Sequence, residues 1–216
     1  MLSVRMLIVQ QLLKSTMSKA IIIFVRNPER GKVKTRLAAT LGDDKALEIY
    51  LQLLDHTAAI TKSLQDVSRY VFYSDSIGQN DPWSEGSFYK MIQSDGDLGR
   101  KMFAAFQAVF SRGHNKVVII GSDCPGLTSG GLMSAFESLS RQDVVIGPAN
   151  DGGYYLLGLK ELNEMFFTNK EWSTDGVYKA TLENIHSLHL SCYCLPPLVD
   201  VDTEEDWNLA RRAGFI

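Results

Sequence analysis

Two stretches of the chain carry no polar residue, and each runs directly into a polar loop. Residues 20–25 (AIIIFV) lead into Arg26-Asn27-Pro28, and residues 117–120 (VVII) lead into Gly121-Ser122-Asp123. Runs this short and this rich in β-branched residues, without alternation, predict strands covered on both faces. Sheets with such strands carry helices on either side, so these two segments alone point to an α/β fold with a mostly parallel sheet.

The rest of the chain supplies the helices. Over residues 43–64, Leu47, Tyr50, Leu51, Leu54, Ala58 and Ile60 recur near helical spacing, with Asp43 or Asp44 placed to cap the start. A strand at 69–73 precedes a polar surface loop through Gly78, Asn80, Pro82, Ser84 and Gly86, then a short strand at 89–93 and a helix at 98–110. Thr128 or Ser129 opens a helix to about residue 139. Strands at 144–146 and 154–157 flank the glycine-rich 147–153, and Ser173 opens a helix to about 185. A strand at 189–195 and a last helix capped by Thr203 and Asp206 complete a three-layer α/β sandwich. Residues 17–216 read as one domain; residues 1–16 read as an upstream extension, disordered or packed as a stray helix.

Composition narrows the partners. A net charge of -3 gives no global attraction to a polyanion, which argues against nucleic acid. No apolar run is long enough to span a membrane. Three cysteines, Cys124, Cys192 and Cys194, are too few for a disulfide framework and fit a reducing cytoplasm. Cys192 and Cys194 read as small half-buried strand residues, and Cys124 as a packing residue with no histidine nearby in sequence to activate it.

In open α/β sheets ligands lie beyond the carboxyl ends of the strands. The loop leaving the first strand holds five basic residues in eleven positions, Arg26, Arg30, Lys32, Lys34 and Arg36. In an acidic chain that density calls for an anion. Lys34, Arg36 and the turn at Gly31 offer point charge, planar donors and backbone amides to a nucleoside phosphate, without forming a Walker sequence.

The loop after residue 120 puts Asp123 at the end of a dry strand, where a carboxylate needs a cation beside it. Mg²⁺ or Mn²⁺ bridging carboxylates and phosphates would serve. Asp202 is the candidate second ligand, with Asp200 weaker, and Asp206 is assigned to the helix cap.

Together these loops resemble the bacterial glycosyltransferase-like proteins of the DUF2064 type, related to the molybdenum-cofactor guanylyltransferases, 2-phospholactate guanylyltransferases and sugar-acid cytidylyltransferases. The resemblance rests on GKVKTRL (31–37), GDLG (96–99), GSDCPGL (121–127), GPANDGGYYLLGL (147–159), WST (172–174) and DVDTEED (200–206). It implies the glycosyltransferase A-type fold of the nucleotide-diphospho-sugar transferase superfamily, with Asp123 and Asp202 as metal ligands. It also implies that Gly31, Lys34 and Arg36 contact the triphosphate and that Gly96, Asp97 and Gly99 lie against the nucleotide; Arg26, at the head of the basic loop, is a further nucleotide-binding candidate. Asp151, Gly152, Gly153 and Tyr154 fall where relatives bind the acceptor. The family's usual Lys-x-Pro-x-Pro-Gly is Arg26-Asn27-Pro28-Glu29-Arg30-Gly31 here, so Arg30 replaces a proline and adds charge.

The expected activity is metal-dependent transfer of a nucleotidyl group to a small phosphorylated or hydroxyl acceptor, with Lys34, Asp123 and Asp151 as candidate catalytic residues. Glycosyl transfer from a nucleotide sugar is the alternative, and binding of a nucleotide without turnover a weaker one. A receiver-like domain would need an acidic pair where Arg26 and Asn27 stand.

Overall fold

The computed structural model describes residues 18–215, so the extension expected over 1–16 lies outside the described residues. These contain β1 (Lys19–Val25), α1 (Thr35–Leu41), α2 (Asp43–Lys62), β2 (Val67–Tyr73), β3 (Tyr89–Ile92), α3 (Leu98–Phe110) and β4 (Lys116–Ile120). They continue with α4 (Ser129–Ser138), β5 (Val144–Pro148), β6 (Tyr154–Leu159), α5 (Val177–Ser187), β7 (Cys192–Cys194) and α6 (Glu204–Arg212). The seven strands form one sheet in the order β3-β2-β1-β4-β6-β5-β7, parallel except for β6.

β1 and β4 are central neighbours, in register from Lys19 beside Lys116 to Ile23 beside Ile120. Their side chains feed two cores. Ile21, Ile23, Val118 and Ile120 pack with Tyr50, Leu54 and Ala58 of α2 and Leu132, Ala135 and Phe136 of α4. Ala20, Ile22, Val117 and Ile119 pack on the other face with Met102, Phe106 and Val109 of α3 and Ile185 of α5. Burying each large aliphatic side chain contributes about 1.5–3 kcal/mol, and the two-sided burial explains why neither strand alternates. A third cluster joins Leu37 of α1, Ile49 and Leu53 of α2, Val201, and Trp207 of α6.

Several expectations shift. The basic loop ends in an unforeseen helix, α1, whose single fully buried residue, Leu37, gives too short an apolar pattern to read. Asp43 and Asp44 do not cap α2. Gly42 holds that position with no side-chain bond, and both aspartates sit in the first turn, where they favour the positive end of the helix dipole. The helix expected from Ser173 begins at Val177, because Ser173 itself has a left-handed φ of 65°. β7 is three residues long, and Cys194 on it is exposed, not half-buried like Cys192. The polar loop after β2 is pulled inward by Trp83, which is 1% exposed and sits edge-on to Phe88.

Candidate functional site

The carboxyl ends of β1 and β4 are tied together before any ligand-facing residue appears. Tyr50 of α2 donates to the Arg26 carbonyl at 3.0 Å and accepts from the Arg26 N–H at 2.9 Å, with its hydroxyl 3.5 Å from Ser122 Oγ. Burial pushes its phenol pKa up, so it remains a donor. Asn27 performs the same service toward β2. Its Oδ1 accepts from the Asp75 N–H at 3.0 Å, and its Nδ2 donates to the Ser76 carbonyl at 2.8 Å. The Gln93 amide donates to the carbonyls of Val25 and Phe72, closing the β1 to β2 exit.

The basic loop then divides by function. Arg30 turns away, its Nε 2.6 Å from Asp44, so the charge gained at the family's proline position braces α2. Lys32 pairs with Glu29 at 2.6 Å. Val33, nearly fully buried, pins the chain, and Lys34 follows with φ 46° and ψ 47°, left-handed at the start of α1. That conformation delivers its side chain into the interior. Lys34 Nζ lies 3.0 Å from Asp123 Oδ2 and 3.1 Å from Asp202 Oδ1, with 6% of the side chain exposed against 39% and 40% for the two carboxylates. Arg36 reaches Asp202 Oδ2 at 3.4 Å. Burial pulls the Lys34 pKa down, but attraction to Asp123 and Asp202 and the two hydrogen bonds outweigh it, and the net shift is upward.

Asp123 and Asp202 meet because the backbone between Asp200 and Asp202 docks on the β4 exit, the Val201 N–H donating to the Asp123 carbonyl at 2.8 Å. Val201 is wholly buried, and the two aspartates emerge on either side of it. Asp206 fixes the next turn by accepting from the Thr203 N–H and the Asp202 N–H, as its capping assignment expected. Asp200, the weaker candidate, is the more enclosed carboxylate. Its Oδ1 has no partner among the described residues, and burial, then neighbouring Asp123, raise its pKa to about 8. Burial, then Asp200 and Asp123, hold the Cys124 thiol protonated, in keeping with a packing role.

On the far side, residues 149–153 join β5 to the antiparallel β6. Gly152 has φ 88°, and a Cβ there would fall 2.2 Å from the Asp175 carbonyl oxygen, so only glycine permits this approach. The Gly152 carbonyl accepts from the Tyr178 N–H, docking the loop on α5. Asp151 Oδ1 accepts from the Gly153 N–H at 2.9 Å. The Tyr154 hydroxyl donates to Met102 Sδ at 3.8 Å, and both residues border the site.

These elements enclose a cleft of about 1040 Å³. Of the residues singled out in the sequence, Arg26, Lys34, Arg36, Asp123, Asp151, Gly153, Tyr154 and Asp202 line it. Gly31, Gly96, Asp97, Gly99 and Gly152 do not line it. Asp97 caps α3 through the Arg100 N–H at 2.8 Å. Gly99 lies where a Cβ would strike the Phe167 carbonyl and the Trp172 indole. The segment 96–99 therefore presents α3, whose Leu98, Lys101 and Met102 reach the cleft. Sequence reasoning did not single out Lys101, Asp75, Gln93, Trp172 or Asp175 as site residues. Trp172 carried a signal, since the WST motif had no other role.

Residues 57–174 match the family described as "Uncharacterized protein conserved in bacteria (DUF2064)". None of the curated proteins matches the sequence. A crystal structure from Desulfovibrio desulfuricans, provisionally named a nucleotide-diphospho-sugar transferase, superposes with a TM-score of 0.85 at 32% identity, covering 92% of this chain and 88% of that one. CMP:2-keto-3-deoxy-manno-octonic acid synthetase in complex with CTP gives a TM-score of 0.58 at 10% identity over 91% and 98% of the two chains. The manganese complex of Mycobacterium tuberculosis Rv0371C gives 0.53 at 12% over 88% and 97%. The last two share the fold alone. The chain therefore belongs to the DUF2064 family, on the fold of the nucleotide-diphospho-sugar transferases.

Proposed function

We propose that the protein is a metal-dependent nucleotidyltransferase that passes a nucleotidyl group from a nucleoside triphosphate to a small phosphorylated or hydroxyl acceptor. The observation that carries this reading is the meeting of Lys34 and Arg36 with Asp123 and Asp202 at one end of a single cleft. A basic loop alone would hold any anion, and a carboxylate pair alone any cation. Their contact suits phosphates that arrive with a divalent ion.

The donor set fits Mg²⁺ or Mn²⁺. Asp123 and Asp202 present hard oxygens to the cleft, and the Oδ1 of neighbouring Asp200 is a further buried oxygen with no partner among the described residues. Among the described residues no three His, Cys, Asp or Glu side chains converge on one point, which suits an ion that takes one or two carboxylates from the protein and its remaining ligands from phosphates and water. When bound, such an ion neutralises charge on the phosphates.

The chain's own residues supply the rest. Lys34 and Arg36 hold the β- and γ-phosphates and stabilise the charge that grows on them as the bond from the α-phosphorus to its bridging oxygen breaks. Asp151, on the docked loop, faces the acceptor and takes its proton where the nucleophile is a hydroxyl; pyrophosphate leaves. Gly153 lets the acceptor approach the backbone, and the rings of Tyr154 and Trp172 flank it. Three free thiols suit a cytoplasmic setting, and no helix among the described residues is long and apolar enough to cross a membrane.

Glycosyl transfer from a nucleotide sugar is the second reading. The carboxylates Asp151 and Asp175 on the acceptor side favour it, since they suit sugar hydroxyls. Incubation with each ribonucleoside triphosphate, Mg²⁺ and a panel of acceptors should release pyrophosphate. Release of nucleoside diphosphate from a nucleotide sugar, with no pyrophosphate from any triphosphate, would overturn the first reading in favour of the second.

A further inference from the structure

We infer that Lys34 makes the site selective for a free triphosphate, because its ammonium holds the place between Asp123 and Asp202 that a divalent ion needs and gives it up only to a terminal phosphate. The inference rests on the metal-dependent reading above.

The geometry is one of competition for the same lone pairs. Lys34 Nζ engages Asp123 Oδ2 and Asp202 Oδ1 at 3.0 and 3.1 Å, and Arg36 engages the second oxygen of Asp202 at 3.4 Å. An ion at the usual Mg²⁺ distance of about 2.1 Å from oxygens of both carboxylates would fall against the ammonium, and two cations in contact repel. The backbone cannot yield. Val33 and Leu37, both buried, clamp the chain on either side, so only the four-carbon stem of Lys34 can swing.

Outward from the carboxylates lie Lys32 and Arg36, both exposed on the cleft wall where the phosphates of the proposed reaction sit. A terminal phosphate there draws Lys34 off the carboxylates and opens them to the metal. Metal and triphosphate consequently assist each other, and linkage requires the effect to be mutual. A nucleotide sugar, whose terminal phosphate is esterified, and a monophosphate offer Lys34 a weaker partner.

The test uses Mn²⁺ alone, titrated into the full chain and followed through the electron paramagnetic resonance signal of the free ion. Lys34→Met should bind Mn²⁺ roughly ten-fold or more tightly than wild type, whereas Arg36→Met, which removes an exposed cation from the same carboxylate, should gain no more than about three-fold. Lys34→Gln should behave as Lys34→Met does and provides a second variant should the methionine disturb folding. Unchanged or weaker Mn²⁺ binding in both Lys34 variants, or an equal gain in Arg36→Met, overturns the inference. Adding Asp123→Asn to Lys34→Met should abolish the gain. If the gain persists, the ion binds elsewhere, and the metal reading itself has failed.

Discussion

Lys34 carries a left-handed backbone although it has a Cβ, a conformation that costs about 1–2 kcal/mol. Two ion pairs and the burial of its neighbours hold it there, which is how a strained residue persists at a functional site. Lys34→Ala and Arg36→Ala should each weaken a non-hydrolysable triphosphate by about 1–3 kcal/mol, as for lost charge-assisted hydrogen bonds, and a monophosphate by less. Isothermal titration with both ligands checks this, and equal losses would move the contact off the β- and γ-phosphates. Asp123→Asn keeps the side-chain shape and removes one charge from a half-exposed position, so circular dichroism should show an intact fold. Mg²⁺-dependent nucleotide affinity should vanish in the same variant; if calorimetry finds it unchanged, Asp123 is not the metal ligand.

At the level of elements, close approaches set the side of the cleft proposed to take the acceptor. Gly152→Ala places a Cβ within 2.2 Å of the Asp175 carbonyl oxygen at a positive φ. The 149–153 loop must then leave α5, and transferase turnover should fall while triphosphate affinity holds. Loss of both together would mean that the loop supports the nucleotide side as well. Thr203→Ala breaks the capping box of α6 and should lower stability by about 1 kcal/mol in chemical denaturation.

The elements legible in the sequence were those whose own residues decide them. β1 and β4 declare themselves by unbroken apolar runs, and α3 spans the residues its periodicity marks, Leu98–Phe110. Where tertiary contacts decide, the pattern misleads. Residues 172–176 look like a helix start, yet they are drawn into packing against Gly99 and Gly152. Asp200 stands two residues before Asp202, and in sequence the two are near equivalents. Val201 between them docks on the β4 exit while Asp206 holds the Asp202 N–H, so the two aspartates have quite different surroundings. The pairing of Lys34 with Asp123 and Asp202 spans most of the chain, and spacing could indicate each partner but not their contact.

Across the whole molecule, the cleft and the opposite end of the sheet answer to different chemistry. Beyond the amino end of β1, His114 lies between Ser18 Oγ at 2.7 Å and the Tyr70 hydroxyl at 2.8 Å, with Tyr89 stacked on Tyr70 and Arg112 over the Tyr70 ring. Burial, then Arg112, lowers the imidazole pKa below its ordinary value. A depressed pKa means that the fold favours the neutral ring. The resulting stability is fully present above the unfolded value of about 6.5 and is lost as pH falls through the lower folded value. The melting temperature of the wild type should therefore drop on acidification below about pH 6.5, and His114→Gln should flatten part of that drop. Identical profiles for the two proteins would remove His114 from the account.

The packing of Trp172 beside Gly99 at the mouth of α3 also makes the protein optically self-reporting. Of its three tryptophans, Trp83 and Trp207 are enclosed in the cores and do not line the cleft, whereas Trp172 does. Any change in indole emission when a nucleotide or acceptor is added should come from that one ring. Trp172→Phe would silence the signal, and titrations could then be followed without a label.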